Sequence, residues 1–237
     1  MIDLDIQQRS LDWFRERLGN ITGSKVSVLM SSGRKKGELF SQAGKTYLYQ
    51  LAAERMMDPA IVGDDDMFGQ YIDLTTSTTK AMQFGIDNED DAKRLFMDKY
   101  LPDKELLEAG SCAHATIPHF AASPDGLIRK FDADCNMADI EVKCPNISNY
   151  MLYRTEIHDA KSLKAVKPEY YWQMQAEMDC TETVCGFFIC YCPWVTEPLH
   201  VAMIARQDDD IRQMEDKVRA ANEYIDNIIR GGHELEG

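Results

Sequence analysis

Ser123-Pro-Asp-Gly-Leu127 and Glu141-Val-Lys-Cys-Pro145 bracket the stretch on which the reading of this chain turns. Between them the pattern predicts a strand over 127–131, a polar turn over 131–137 and a returning strand over 138–144. Side chains alternate along a strand, so Glu141 and Lys143 share one face, while Ile140 and Val142 share the other and can enter a core. Asp125 stands at the Pro-Asp-Gly bend that opens the hairpin, where pairing can set it beside Glu141. Taken singly the pieces are ordinary: a turn tripeptide and a cross-charged strand face. Together, two carboxylates and a lysine at one strand edge suit a hard divalent cation and a phosphate.

The rest of the composition bounds that idea. A chain of 237 residues can bury a sizeable core and fits one domain: a mainly helical part over 1–100, a sheet and helix over 108–205, and a last helix over 208–230. With 44% hydrophobic and 28% charged residues it reads as globular rather than disordered. No apolar run approaches a membrane span, and Met1-Ile-Asp-Leu-Asp5 lacks the basic start and apolar block of a signal peptide. Both point to a cytoplasm. Seven cysteines, an odd number, fit reduced thiols there better than a disulfide framework. The net charge of −14 repels phosphate and excludes indiscriminate coating of nucleic acid. A local basic groove, with cations offsetting the acids, remains compatible with it.

In chain order, residues 8–19 read as a helix ended by Gly19. Another is expected to start at Ile21-Thr22, with Thr22 as cap. Arg17 and Ser24 flank that turn, a guanidinium and a hydroxyl near a helix start where an anion can bind. Residues 31–44, and a second stretch marked by Asp58-Pro59 and the acidic Gly63-Asp-Asp-Asp66, read as loops, with a helix over 45–57 between them. A helical stretch over 78–101 is expected to break near Phe84-Gly85, and in its second part Glu89 lies close to the core face of Ala92, Leu95 and Phe96. One or two strands follow over 108–122, where His114 and His119 form too sparse a set for a metal site. After the hairpin come a helix over 146–158, a basic patch at Lys161, Lys164 and Lys167, and a helix started by Pro168 in which Tyr170 and Gln173 share a face. Apolar strands over 184–191 and 199–205 and an amphipathic helix from Asp208 complete an α/β order.

Five separated strings then match one family in its order: Trp13-Phe-Arg-Glu-Arg-Leu-Gly-Asn-Ile-Thr-Gly-Ser24, Phe84-Gly-Ile-Asp-Asn-Glu-Asp-Asp-Ala92, Ser123-Pro-Asp-Gly-Leu127, Glu141-Val-Lys-Cys-Pro145 and Tyr170-Tyr-Trp-Gln-Met-Gln175. On these the chain resembles the lambda exonuclease or YqaJ-type viral recombinase family, within the PD-(D/E)-x-K nucleases. The resemblance implies a restriction-endonuclease-like core, a central mixed β-sheet flanked by helices. It implies a Mg²⁺-dependent enzyme, with Mn²⁺ as a substitute, that degrades one strand of linear double-stranded DNA from the 5′ end and leaves 3′ tails. Asp125 and Glu141 match the family's metal ligands, with the Val142 carbonyl beside them, and Lys143 matches the lysine that places the attacking water. Glu89 and Gln173 match further active-site residues; Arg17, Ser24, Ser123 and Tyr170 match residues around the 5′ phosphate and DNA. Trp13 falls on the family's tryptophan, where packing is its expected role. A ring-shaped homotrimer and a single-strand annealing partner come with the same resemblance.

One position departs. Ten residues before Asp125, where a second family aspartate is expected, stands Ala115, flanked by His114 and Thr116. One cation is therefore expected and a second left open, with His114 as a stand-in. Two other readings compete. A RecB- or Cas4-like nuclease could differ in polarity and use cysteines for an iron–sulfur cluster, although Cys180, Cys185, Cys190 and Cys192 read as buried small residues. A non-catalytic DNA-end-binding module is the other, and the intact Asp125, Glu141 and Lys143 weigh against it.

Overall fold

The hairpin lies inside a larger sheet, in a computed structural model that describes residues 6–35, 37–76, 78–131 and 136–231. The first five residues, the tip of the turn over 132–135, Lys36 of the basic loop and the tail from 232 fall outside these. The N-terminal part comprises α1 (Leu11–Arg17), β1 (Ile21–Thr22), α2 (Gly23–Val26), α3 (Gln42–Arg55), α4 (Pro59–Val62), α5 (Asp65–Thr75) and α6 (Lys80–Tyr100). Short strands β2 (Glu105–Leu107), β3 (Cys112–Ala113) and β4 (Phe120–Ala122) precede the hairpin strands β5 (Gly126–Arg129) and β6 (Met137–Lys143). Then follow α7 (Ile147–Glu156), α8 (Ala160–Val166), α9 (Pro168–Thr181), β7 (Cys185–Tyr191), β8 (Leu199–Ala205) and α10 (Asp208–Ile229).

The main sheet has the order β2-β5-β6-β7-β8, antiparallel except for the parallel pair β6 and β7. A parallel neighbour needs a long crossover, and α7, α8 and α9 provide it. A smaller sheet, β1-β4-β3, stands apart. Helix α6 covers one face of the main sheet, where Ala92 and Phe96 pack with Ile140, Val142 and Ile189. Helix α9 lies on the other face and also against α2 and β4, so residues are buried nearly all round it, from Tyr171 to Thr181. This is the mixed α/β fold with helices on both faces that the sequence predicts.

Several local expectations are corrected. Gly63-Asp-Asp-Asp66 is no loop: the Asp64 side chain caps α5 by accepting from Met67 N–H (2.9 Å), and Asp65 and Asp66 favour the positive end of that helix. Helix α6 does not break at Gly85. A glycine costs a helix about 1 kcal/mol against alanine, too little to interrupt 21 residues. Ile21-Thr22 is a strand that pairs in parallel with β4, and the Thr22 side chain makes no cap. Helix α3 begins within the expected 31–44 loop, and Lys161 and Lys164 lie on α8. Among the described cysteines, Cys180, Cys190 and Cys192 are buried thiols. No helix among the described residues is long and apolar enough to cross a membrane.

Candidate active site

Strand β5 pairs no further than Gly126, level with Ile140, whereas β6 runs on to Lys143. Asp125 folds over the step this leaves. Its N–H donates to the Ile140 carbonyl (3.0 Å), and its Oδ2 accepts from the Val142 N–H (2.7 Å). The N–H and C=O of one residue point to the same side of an extended strand, so the Val142 carbonyl also faces the Asp125 side, past the last β5 partner.

Glu141 projects from β6 toward α9, and both faces of this strand are covered: Glu141 is only 1% exposed. Its Oε1 accepts from Gln173 Nε2 (2.7 Å) and from the Lys143 ammonium. Its Oε2 is buried and has no hydrogen-bond partner among the described residues. The Lys143 ammonium also lies 4.9 Å from the Tyr170 ring centre. Burial opposes its charge, but Glu141 and Asp125 outweigh that and hold it protonated beyond the usual lysine range. Burial, with the negative charges of Glu141 and Glu89, pushes Asp125 up to about 8, against the pull of Lys143 and Lys93.

Glu89 comes from α6, paired with Lys93 (2.7 Å) and Arg9 (2.6 Å). Burial opposes its ionisation, yet the two cations keep it below the ordinary carboxylate range. Glu89, Asp125, Val142, Lys143 and Tyr170 all line one cleft of about 750 Å³. The orphaned Glu141 oxygen, the crowded Asp125 carboxylate and a free-edge carbonyl are hard oxygen donors, and they fit a divalent cation of the magnesium type.

Arg17, Ser24 and Ser123 form a second cluster. The guanidinium donates to Ser123 Oγ (3.0 Å) and Ser24 Oγ (3.5 Å) and lies 4.1 Å from the Trp13 ring centre. Burial pushes it down to about 10, against the pull of Tyr47 and Glu177, and among the described residues its side-chain contacts are hydroxyls and an indole face, with no carboxylate at ion-pair distance. A half-buried cation with no ion-pair partner among the described residues suits an anion from outside. Ser123 joins the two clusters, two residues before Asp125. Trp13 packs as expected, as the platform under Arg17.

Two buried acids close to Glu141 were missing from the sequence reading. Glu177, 1% exposed, accepts from the same Gln173 nitrogen (2.9 Å), so that the amide bridges Glu141 and Glu177. Burial, with Glu141 and Asp139 nearby, pushes it well above the carboxylate range. Asp139, fully buried, accepts from Thr181 Oγ1 (3.0 Å) and Thr183 Oγ1 (3.0 Å), and burial pushes it up to about 7. The signals were present: Asp139 is two residues before Glu141 on the same strand face, and Glu177 is one helical turn beyond Gln173.

His114 does not stand in for the missing aspartate. It turns to Asp179 of α9 (3.2 Å) and Glu215 of α10 (3.4 Å), a cluster whose ligand atoms lie within 4.8 Å of one another. Its Nδ1, however, accepts from the N–H groups of Thr116 (3.1 Å) and Ile117 (2.9 Å). That leaves the proton on Nε2, which faces the two acids at ion-pair distance without a hydrogen bond to Asp179 Oδ2 among the described residues, and a protonated ring nitrogen has no lone pair for a metal. Asp179 also lies six residues beyond Gln173, about 9 Å along α9 from the Glu141 contact. His119 adopts a left-handed backbone (φ 54°) and meets Asn20 (3.1 Å) instead.

A stepped mixed sheet with two acids, a lysine and a helix glutamine at one strand end is the arrangement expected of the PD-(D/E)-x-K nuclease class. A family model of the YqaJ-like viral recombinase domain matches residues 12–184. The chain belongs to that family. It is similar to an alkaline exonuclease, LHK-Exo, from Laribacter hongkongensis, with 26% identity over 93% of this chain and 95% of that one at a TM-score of 0.71. A structure of LHK-Exo in complex with dAMP aligns over the same shares with a TM-score of 0.72. A phage-related exonuclease from Haemophilus somnus 129PT shares the fold, with 16% identity over 89% of this chain and 95% of that one and a TM-score of 0.61. No curated protein matches the chain.

Proposed function

We propose that the protein is a Mg²⁺-dependent exonuclease, also served by Mn²⁺, that degrades linear double-stranded DNA in the 5′-to-3′ direction and leaves 3′ tails for recombination by strand annealing. The observation that carries this reading is the convergence of Asp125, Glu141, Lys143 and Gln173 at one strand end, where Asp125 and Lys143 line a cleft shared with Glu89. The complex of its relative with dAMP supports a deoxynucleotide as the kind of ligand. Asp125, Glu141 and the Val142 carbonyl would hold the cation, which when bound polarises the scissile phosphate and acidifies a water. Lys143, kept charged by the two acids, places that water and offsets negative charge growing at phosphorus. Gln173 fixes Glu141 Oε1 and so leaves Oε2 for the cation. Arg17, with Ser24 and Ser123, holds the 5′-terminal phosphate and sets polarity.

In the same reading the whole chain acts as one domain in a bacterial cytoplasm, encircles DNA as a homotrimer and works with a single-strand annealing protein. Digestion of a linear duplex with Mg²⁺ tests the chemistry. Lys143→Ala and Glu141→Gln should each lower kcat by about 10²–10³-fold or more; activity near wild type in either would sink the assignment. Light scattering at the mass of a single chain would remove the ring.

A further inference from the structure

Trp194, in the connection between β7 and β8, is 68% exposed, whereas Trp172 is 9% exposed. Its ring is not loose. It stacks on Phe84 of α6, with ring centres 6.3 Å apart and planes 18° from parallel. Both rings line the cleft that holds Asp125, Val142, Lys143 and Tyr170, and the exposed Met82 lies beside them. One end of this cleft is therefore ionic and the other flat and apolar. An exposed apolar surface joined to a charged site marks a binding function, and a nucleotide has the same two ends, a phosphate and a planar base.

We propose that the Phe84–Trp194 pair is a stacking platform for the nucleobase adjoining the phosphate to be cleaved, an inference that rests on the nuclease reading above. Phe84 supports one face of the indole, and its exposed remainder receives the base. Stacking reads no hydrogen-bond pattern, since every base has a π-face, so such a platform serves an enzyme that must advance through any sequence. A peptide partner would have no use for the acids and lysine at the other end of the cleft.

The test is a cycle between Trp194→Ala and the base itself, using 5′-phosphorylated duplexes, intact or with an abasic residue at the terminal or penultimate 5′ position. Trp194→Ala should raise KM for the intact duplex about 5- to 150-fold, the range for one aromatic–base stack, while kcat stays within about twofold. Trp194→Phe should restore most of the loss. The abasic residue should raise KM for the wild type yet add little in Trp194→Ala. Equal abasic penalties in both proteins, or an unchanged KM in Trp194→Ala, overturn the platform. A changed mass in light scattering with KM unchanged also overturns it and assigns the ring to contact between copies. Lys143→Ala is assayed alongside. If it is inactive while Trp194→Ala is unaffected, only the platform falls; if it stays active, the nuclease reading falls and the platform with it.

Discussion

Cation binding at the site should be coupled to proton release, with a measurable slope. Asp125 is pushed up to about 8 by burial and by the charges of Glu141 and Glu89, so near neutral pH it carries a proton that a metal ligand must lose. Its pKa lies above the ordinary carboxylate value, so the proton-bound site dominates below about 8 and the competent ligand above it. Each pH unit below that point then costs tenfold in apparent affinity, about 1.4 kcal/mol. From pH 6 to 8, Mg²⁺ or Mn²⁺ binding to the DNA-free protein should tighten by about fiftyfold, roughly 2.3 kcal/mol, with about one proton released at pH 6 and about half a proton at pH 8. Calorimetry in two buffers of different ionisation enthalpy reads both quantities. Asp125→Asn should bind weakly and without the slope. A dissociation constant flat between pH 6 and 8, with no proton released, would refute the picture of acids crowded around a cation position.

Asp139 gives an independent pH effect, on stability. Its folded pKa of about 7 lies above the ordinary 3.8, so its contribution to the fold is complete below about 4 and is lost as pH rises through 7. The loss is at most ~4 kcal/mol, and Asp139→Asn, which keeps an acceptor for Thr181 and Thr183, should be more stable than wild type by about that amount at pH 8.5 and by less than half of it at pH 5. Denaturant melts decide, and a variant less stable at both pH values would show that the carboxylate itself is required. Arg17→Ala should raise KM about 10- to 100-fold for 5′-phosphorylated duplexes, from the loss of charge-assisted hydrogen bonds, and leave 5′-hydroxyl ends nearly unchanged. Equal effects on both ends would remove the phosphate pocket.

The hairpin of the candidate site was legible because its chemistry and its period coincide: alternation alone puts Glu141 and Lys143 on one face, and Pro-Asp-Gly alone puts Asp125 at the bend. Helix α10, with its apolar stripe, was legible for the same reason, and α9 from Pro168 at its first turn. What escaped was set by tertiary packing. Glu177 reads as a solvated residue until α9 is buried on both sides, and Asp139 as a strand polar residue until Thr181 and Thr183 close over it. Asp64 to Asp66 read as a breaker because acidic runs mark loops and helix starts alike. His114 looked like a spare ligand, and only its backbone partners reveal which nitrogen holds the proton.

Helix α9 explains how the two clusters keep register. On the side of the main sheet it presents Gln173 to Glu141. On its other side it packs against α2 and β4, the elements flanking Ser24 and Ser123. The approach there is close because of Gly23: a Cβ at that position would meet Ala122 Cβ at 3.0 Å and Ala176 Cβ at 3.5 Å. With three small residues at the contact, α2 can lie directly on α9 and β4, and Ser24 follows Gly23 into reach of Arg17. A larger residue at 23 would lift α2, and with it Ser24, away from Ser123 while leaving Glu141 and Gln173 in place. On the proposed reading, the spacing between a bound 5′ phosphate and the cleavage position would thus be set by how closely backbone approaches backbone across one buried helix, and the anion cluster and the acidic cluster would act as one site.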